Sequence, residues 1–122
     1  MRLLSRVLIV DDSFTARRYF RELLENAGHQ VEEAANGYEG LEKVYAGSFD
    51  VLLVDVNMPK MDGYNFVREI RRADDLDPLP TLMITTEAGA GDMDRGFKAG
   101  CNMYLVKPVN SADLLAYLAI IG

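Results

Sequence analysis

Cysteine is nearly missing from this chain: Cys101 stands alone among 122 residues. A single thiol excludes an internal disulfide framework and a CxxC metal site. Histidine is just as scarce, and His29 sits by itself in a turn, so no histidine-based metal centre is expected. Excess positive charge is absent too. Lys and Arg number 13 against 19 Asp and Glu, and the net charge of −6 argues against a nucleic-acid backbone as ligand. No apolar run approaches the roughly 20 residues that cross a bilayer; the longest lies at 114–121. The first ten residues lack a small-residue cleavage stretch, so no signal peptide is expected. Glycine is not arranged as a phosphate loop: Gly89-Ala90-Gly91 with Gly96 does not match GxGxxG, and no Gly-Lys-Ser or Gly-Lys-Thr triplet occurs.

What is present is the makeup of an ordinary folded domain, 49% hydrophobic and 26% charged. Its length suits one domain, 1–122, rather than two. The expectation is a single-domain, acidic, cytoplasmic protein.

Four short apolar runs, at 7–10, 51–54, 82–84 and 104–106, are too short for helices and rich in branched residues. Continuous runs of this length predict strands buried on both faces, as in a parallel sheet. A weaker strand is predicted at 30–34, after the break at Gly28. Between the runs the period becomes helical. Ala16, Phe20, Leu23, Leu24 and Ala27 share one face, with Asp12 or Ser13 as N-cap and Gly28 as stop. Further stripes are Tyr38, Leu41 and Tyr45; Gly63, Phe66, Val67 and Ile70; Met93 and Phe97 within 91–99; and Ser111, Leu114, Leu115 and Leu118. Residues 74–80 read as a polar, proline-bounded loop. The β-α unit therefore repeats five times. This predicts right-handed crossovers and an α/β fold with helices on both faces of a five-stranded parallel sheet.

Each strong strand run is followed by a polar group: Asp11-Asp12, Asp55, Thr85 and Lys107. In a doubly wound sheet the carboxyl ends of the strands lie along one edge, where ligands bind. Taken singly, these residues have plain alternatives. Asp12 also reads as a helix cap, Thr85 as a strand end and Lys107 as a solvated turn residue. Taken together, they put three carboxylates, a hydroxyl and an ammonium in one crevice. Two carboxylates 4 Å apart repel by about 4 kcal/mol at an effective dielectric of 20. Three of them shift their pKa values upward or recruit a cation. With Lys107 offsetting one charge, a hard divalent ion such as Mg²⁺ is the natural complement, since it takes a few carboxylates and keeps several waters. Mn²⁺ could substitute.

The segments Val10-Asp11-Asp12, Asp55-Val56-Asn57-Met58-Pro59-Lys60-Met61-Asp62-Gly63, Ile84-Thr85-Thr86-Glu87-Ala88 and Tyr104-Leu105-Val106-Lys107-Pro108 resemble those of two-component response-regulator receiver domains. The resemblance covers essentially the whole chain. It is strongest to the chemotaxis type, through Arg17-Arg18 and the Asn57/Glu87 combination. It implies a doubly wound, flavodoxin-like sheet of order 2-1-3-4-5.

The resemblance also implies a signalling switch rather than an enzyme, one that catalyses its own phosphorylation and dephosphorylation. Asp55 would accept a phosphoryl group from a histidine kinase or phosphotransfer domain. Asp11, Asp12, Asp55 and the Asn57 backbone carbonyl would hold Mg²⁺. Lys107 and Thr85 would contact phosphoryl oxygens, and Pro108 would follow a cis peptide bond. Tyr104 read alone is a core aromatic. In the resemblance it is a switch that turns inward as Thr85 moves, altering the surface of the fourth helix, last strand and last helix. Asn57, Thr86 and Glu87 would tune the lifetime of the phosphorylated state. Asn57 and Glu87 resemble the fast-hydrolysing type, whereas Thr86 stands where a smaller residue is usual. The implied output is a flagellar motor switch protein. Alternatives are a receiver at the N-terminus of a longer regulator and a relay intermediate. The chain is expected to be a monomer or a weak dimer across its last helix.

A haloacid-dehalogenase-type phosphatase also uses Asp, Thr, Lys and acidic metal ligands. It requires an acid two positions after the nucleophile, where Asn57 stands here, and its acidic pair follows the nucleophile rather than preceding it. Arg17, Arg18 and Arg21 suit either an acidic partner or a solvated helix face paired with Glu22 and Glu25.

Overall fold

Among the described residues ten elements alternate strictly: β1 (Arg6–Val10), α1 (Phe14–Asn26), β2 (Gln30–Ala34), α2 (Gly37–Ala46), β3 (Val51–Val54), α3 (Gly63–Arg72), β4 (Thr81–Thr85), α4 (Ala90–Ala99), β5 (Met103–Val106) and α5 (Ser111–Ile121). The structure, a computed structural model, describes residues 4–73, 76 and 78–121. All strand pairs are parallel, and the sheet order is β2-β1-β3-β4-β5. This is the predicted doubly wound fold, with the weak strand at 30–34 realised as an edge.

Successive strand residues point to opposite faces, and the core divides accordingly. Leu8, Val10, Leu52 and Val54 pack with Val44, Phe66, Val67 and Ile70 of α2 and α3. Val7, Ile9, Val51, Leu53 and Ile84 pack with Phe20, Leu24, Leu114 and Leu118 of α1 and α5. Full burial of each such side chain contributes roughly 1.5–3 kcal/mol. That explains why continuous apolar runs, rather than alternating ones, mark β1, β3 and β4.

Helix starts follow local chemistry. Ser13, not Asp12, caps α1, accepting from the Ala16 N–H at 3.1 Å. Asn36 caps α2 and Asp62 caps α3, accepting at 2.9 Å from the N–H groups of Glu39 and Asn65. Gly28 follows the end of α1 with φ at +96°, a left-handed conformation that favours glycine.

Three helix readings need correction. In α2, Tyr38 and Tyr45 are exposed, and the inner face is Gly37, Gly40, Leu41 and Val44. The cause is steric: a Cβ at Gly40 would lie 2.8 Å from Phe66 Cε1, so the helix approaches the core on its glycines. In α4, Met93 and Phe97 face outward, while Gly96 and Ala99 are buried. In α1, Ala27 is the exposed C-cap and not part of the inner stripe. Of the predicted loop 74–80, Asp74, Asp75 and Asp77 lie outside the described residues, as do Met1, Arg2, Leu3 and Gly122. Leu79 within that loop is buried in the core, so the loop is not wholly polar.

Candidate functional site

Parallel register brings the strand-end residues together. Val10 pairs with Val54 across β1 and β3, and the Asp55 N–H donates to the Val10 carbonyl at 2.9 Å. The next residues, Asp11 and Asp55, therefore emerge side by side. On the far side, Thr85 pairs with Val106, and the Lys107 N–H donates to the Thr85 carbonyl at 2.8 Å. The order reverses about β1, and the crevice opens at the carboxyl ends of β1 and β3, where such sheets bind ligands.

Asp11, Asp12 and Asp55 each offer a carboxylate oxygen, and these oxygens lie within 4.8 Å of one another. Lys107 reaches in from the end of β5, with Nζ 3.5 Å from Asp11 Oδ2 and 4.0 Å from Asp55 Oδ1. Asp55 is nearly enclosed, its side chain 11% exposed. Burial, followed by the charge of Asp11, pushes its carboxyl up to about 6; Lys107 and the Val56 N–H offset part of this, and Asp12 adds to it. A group with this value is still mostly ionised at neutral pH. The donors are all hard oxygens and carry more negative charge than Lys107 balances, which suits a divalent cation of the Mg²⁺ kind.

The surrounding loops are tightly built. A Cβ at Gly63 would lie 2.3 Å from the Asp55 carbonyl oxygen, so only glycine lets α3 start so close to the loop after β3. Lys60 in that loop has φ at +71°. The Asn57 amide donates to Glu87 Oε1 at 2.8 Å, linking the loops after β3 and β4. Thr85 is fully buried, and its Oγ1 accepts from the Glu87 N–H at 3.2 Å. Thr86 is exposed. The Lys107–Pro108 peptide is cis.

Tyr104 points inward. It is buried, its ring fills the space a Cβ at Gly96 would need, 2.6 Å from Cδ2, and its hydroxyl donates to the Glu87 carbonyl at 2.8 Å. Burial, and next the neighbouring Tyr64 hydroxyl, push its phenol pKa upward, so it remains a donor.

Three residues with evident roles here escaped the sequence reading. Tyr64, buried on α3, donates to the Asp92 carbonyl at 3.0 Å, and its oxygen lies 3.4 Å from that of Tyr104. Its signal was only its position three residues before Val67 on the inner helical face. Glu33 on β2 and Arg17 on α1 form an ion pair at 3.0 Å, and Arg17 also donates to the Asp11 carbonyl at 2.7 Å. In sequence Arg17 suits an acidic partner or a solvated helix face, and a backbone carbonyl as its partner leaves no trace there.

The response regulator receiver domain model matches residues 7–119. The chain belongs to the response regulator receiver family. This receiver domain is 38% identical over 118 residues to the chemotaxis protein CheY1 of Helicobacter pylori, covering 95% of each chain. It is 39% identical over 111 residues to the gliding motility regulatory protein of Myxococcus xanthus, covering 91% of this chain. It is 41% identical over 110 residues to the sensor histidine kinase CheAY of Helicobacter pylori, covering 88% of this chain. The chain spans only 14% of the length of each of these last two relatives. Among solved structures, chemotaxis protein CheY4 of Vibrio cholerae superposes with a TM-score of 0.91 at 39% identity, covering 98% of this chain and 99% of that one. The domain is thus a CheY-like receiver of the two-component type.

Proposed function

We propose that this chain acts, over 1–122, as one phosphorylation-activated switch in a two-component pathway. Asp55 takes a phosphoryl group from the phosphohistidine of a histidine kinase or phosphotransfer partner. A carboxylate oxygen of Asp55 bonds to phosphorus as the P–N bond breaks, and the electron pair returns to the imidazole nitrogen. The product is an acyl phosphate on Asp55. Asp11, Asp12, Asp55 and the Asn57 carbonyl would hold Mg²⁺, with Mn²⁺ as a substitute. When bound, the ion supplies positive charge against the phosphoryl oxygens. Lys107 and the Thr85 hydroxyl hold those oxygens, so that catalysis is positioning and charge stabilisation.

The observation that carries this reading is three carboxylate oxygens within 4.8 Å of one another, beside the Lys107 ammonium. Partner docking has a physical basis in a groove of about 440 Å³ next to Lys107. Ala16, Tyr19, Phe20, Pro108 and Val109 are among its lining residues. The signal leaves through Thr85 and Tyr104 to the α4–β5–α5 face. Driving a two-state equilibrium from 1:99 to 99:1 takes about 5.5 kcal/mol. Charge-assisted hydrogen bonds contribute roughly 1.5–3 kcal/mol each, so two or three new contacts suffice.

The output we favour is chemotaxis or motility, through a flagellar motor switch protein, on the strength of full-length similarity to CheY1. A second reading, a receiver working within a longer regulator or relay, has support in relatives of which this chain spans only 14%. Incubation with acetyl phosphate and Mg²⁺ followed by intact mass measurement tests the core of the reading. One phosphoryl addition is expected in wild type and none in Asp55→Asn; persistence of the addition in the mutant overturns it.

A further inference from the structure

The metal-ligand reading of Asp11 and Asp12 leaves open what aims them. Asp11 is pinned at every polar atom. Its N–H donates to the Ala34 carbonyl at 3.1 Å, its Oδ1 accepts from the Ser13 N–H at 2.9 Å, and its Oδ2 lies 3.5 Å from Lys107 Nζ. Its carbonyl accepts from Arg17 Nη1 at 2.7 Å. Asp12 differs: it is exposed, and among the described residues its carboxylate has no hydrogen bond or ion pair. Only its backbone can direct it. The peptide plane that joins Asp11 to Asp12 is the one Arg17 grips.

Arg17 is itself held. Its Nε donates to Glu33 Oε1 at 3.0 Å, and Arg21 Nη1 donates to the other Glu33 oxygen at 2.7 Å. Burial acts to raise the Glu33 carboxyl, but the hydrogen bonds from Arg21 and Arg17 outweigh it and keep the group below the usual carboxylate range. Glu33 therefore stays ionised and fixes the guanidinium, whose side chain is 14% exposed. The chain of contacts runs Arg21, Glu33, Arg17, Asp11 carbonyl, Asp12.

We propose that Arg17 is a positioning residue for divalent-cation binding: braced by Glu33, it orients the Asp11–Asp12 peptide so that Asp12 presents its carboxylate to the crevice. This rests on the metal reading above and deepens it. Plain Coulombic reasoning predicts the opposite effect for its removal, because deleting a cation near three carboxylates favours metal binding. The sign of the change therefore separates positioning from charge. Groups that orient metal ligands typically change affinity by about 10–100-fold when removed.

The test is Mn²⁺ binding to the unphosphorylated full chain, followed by electron paramagnetic resonance of the free ion. Wild type, Arg17→Gln, Arg17→Lys, Glu33→Gln and Asp12→Asn are compared, with thermal melting alongside. Expected are roughly tenfold weaker binding in Arg17→Gln, partial rescue in Arg17→Lys, a smaller loss in Glu33→Gln, and the largest loss in Asp12→Asn. Unchanged or tighter binding in a folded Arg17→Gln overturns the proposal. If Arg17→Gln does not fold, Glu33→Gln decides, and unaltered affinity there also overturns it. Absence of Mn²⁺ binding in wild type overturns the metal reading itself, and the proposal with it.

Discussion

Asn57 and Glu87 hold each other across the mouth of the acidic crevice, amide to carboxylate at 2.8 Å. Each stands two residues beyond a strand-end group, Asp55 or Thr85, so the pair spans the approach to Asp55. On the proposed function, a polar bridge in this place would order water near an acyl phosphate on Asp55. Glu87→Ala is expected to slow its hydrolysis by roughly threefold to tenfold, matching the loss of one hydrogen bond of about 1 kcal/mol. The check is the decay of phosphorylated protein after removal of the donor. An equal or faster decay removes the water-ordering role.

Thr86 stands between Thr85 and Glu87 in the chain and is exposed. On the proposed function its branched side chain would narrow access to the crevice, so Thr86→Ala is expected to speed the same decay by about twofold, under 1 kcal/mol in the barrier. An unchanged rate disposes of the access argument.

Asp55 makes stability depend on pH in a defined direction. An unfolded aspartate has a pKa near 3.9, whereas burial and then Asp11 push the folded value up to about 6. Between those values the folded chain binds the proton more tightly than the unfolded chain. Stability is therefore lost as pH rises through about 6 and is kept below about 4. Asp55→Asn removes the buried charge. Without divalent metal, the mutant is expected to exceed wild type at pH 7.5 by up to about 3 kcal/mol, with the gap closing towards pH 4. Urea unfolding in EDTA at the two pH values measures this. A mutant no more stable at pH 7.5 contradicts a buried, upward-shifted Asp55 carboxyl.

The strands and their polar ends were legible in sequence for one reason: β1, β3 and β4 are buried on both faces, so their apolar runs are unbroken and their ends abrupt. With parallel pairing, the residues after Val10 and Val54 had to meet. Helix phase was less legible where glycine does the packing. Gly40 has no side chain to register in an apolar stripe, yet it brings α2 against Phe66 and Val10. The flanking Tyr38 and Tyr45 then mimic an inner face. Arg17 and Tyr64 were illegible for a different reason, since both donate to backbone carbonyls, which every residue carries.

That close approach can be measured. Alanine favours a helix over glycine by about 1 kcal/mol, but a Cβ at Gly40 meets Phe66 at 2.8 Å and Val10 at 3.2 Å. Overpacking of this kind typically costs 1–3 kcal/mol. Gly40→Ala is expected to lose up to about 2 kcal/mol net in chemical denaturation. Tyr45→Ala on the exposed face is expected to stay within about 0.5 kcal/mol. The reverse ranking contradicts the glycine-mediated contact.

Tyr64 and Tyr104 bring two hydroxyls within 3.4 Å, yet each has a better acceptor: Tyr64 donates to the Asp92 carbonyl at 3.0 Å and Tyr104 to the Glu87 carbonyl at 2.8 Å. A hydroxyl has one proton, so with both committed no proton remains for the bond between them. The two tyrosines then act as separate ties, one from α3 to the first turn of α4 and one from β5 to the loop before it. Arg95 of α4 stacks over the Tyr64 ring at 4.3 Å, adding a contact that phenylalanine retains. Tyr64→Phe and Tyr104→Phe are each expected to cost about 1 kcal/mol, the net worth of a buried hydrogen bond. Their effects should add to within about 0.5 kcal/mol in the double mutant, as for independent sites. Hydrogen exchange should show faster opening at the start of α4 in Tyr64→Phe, and in the loop before it in Tyr104→Phe. A coupling above about 1 kcal/mol would mean that a proton is shared between the two oxygens and that α3 and β5 hold α4 as one unit.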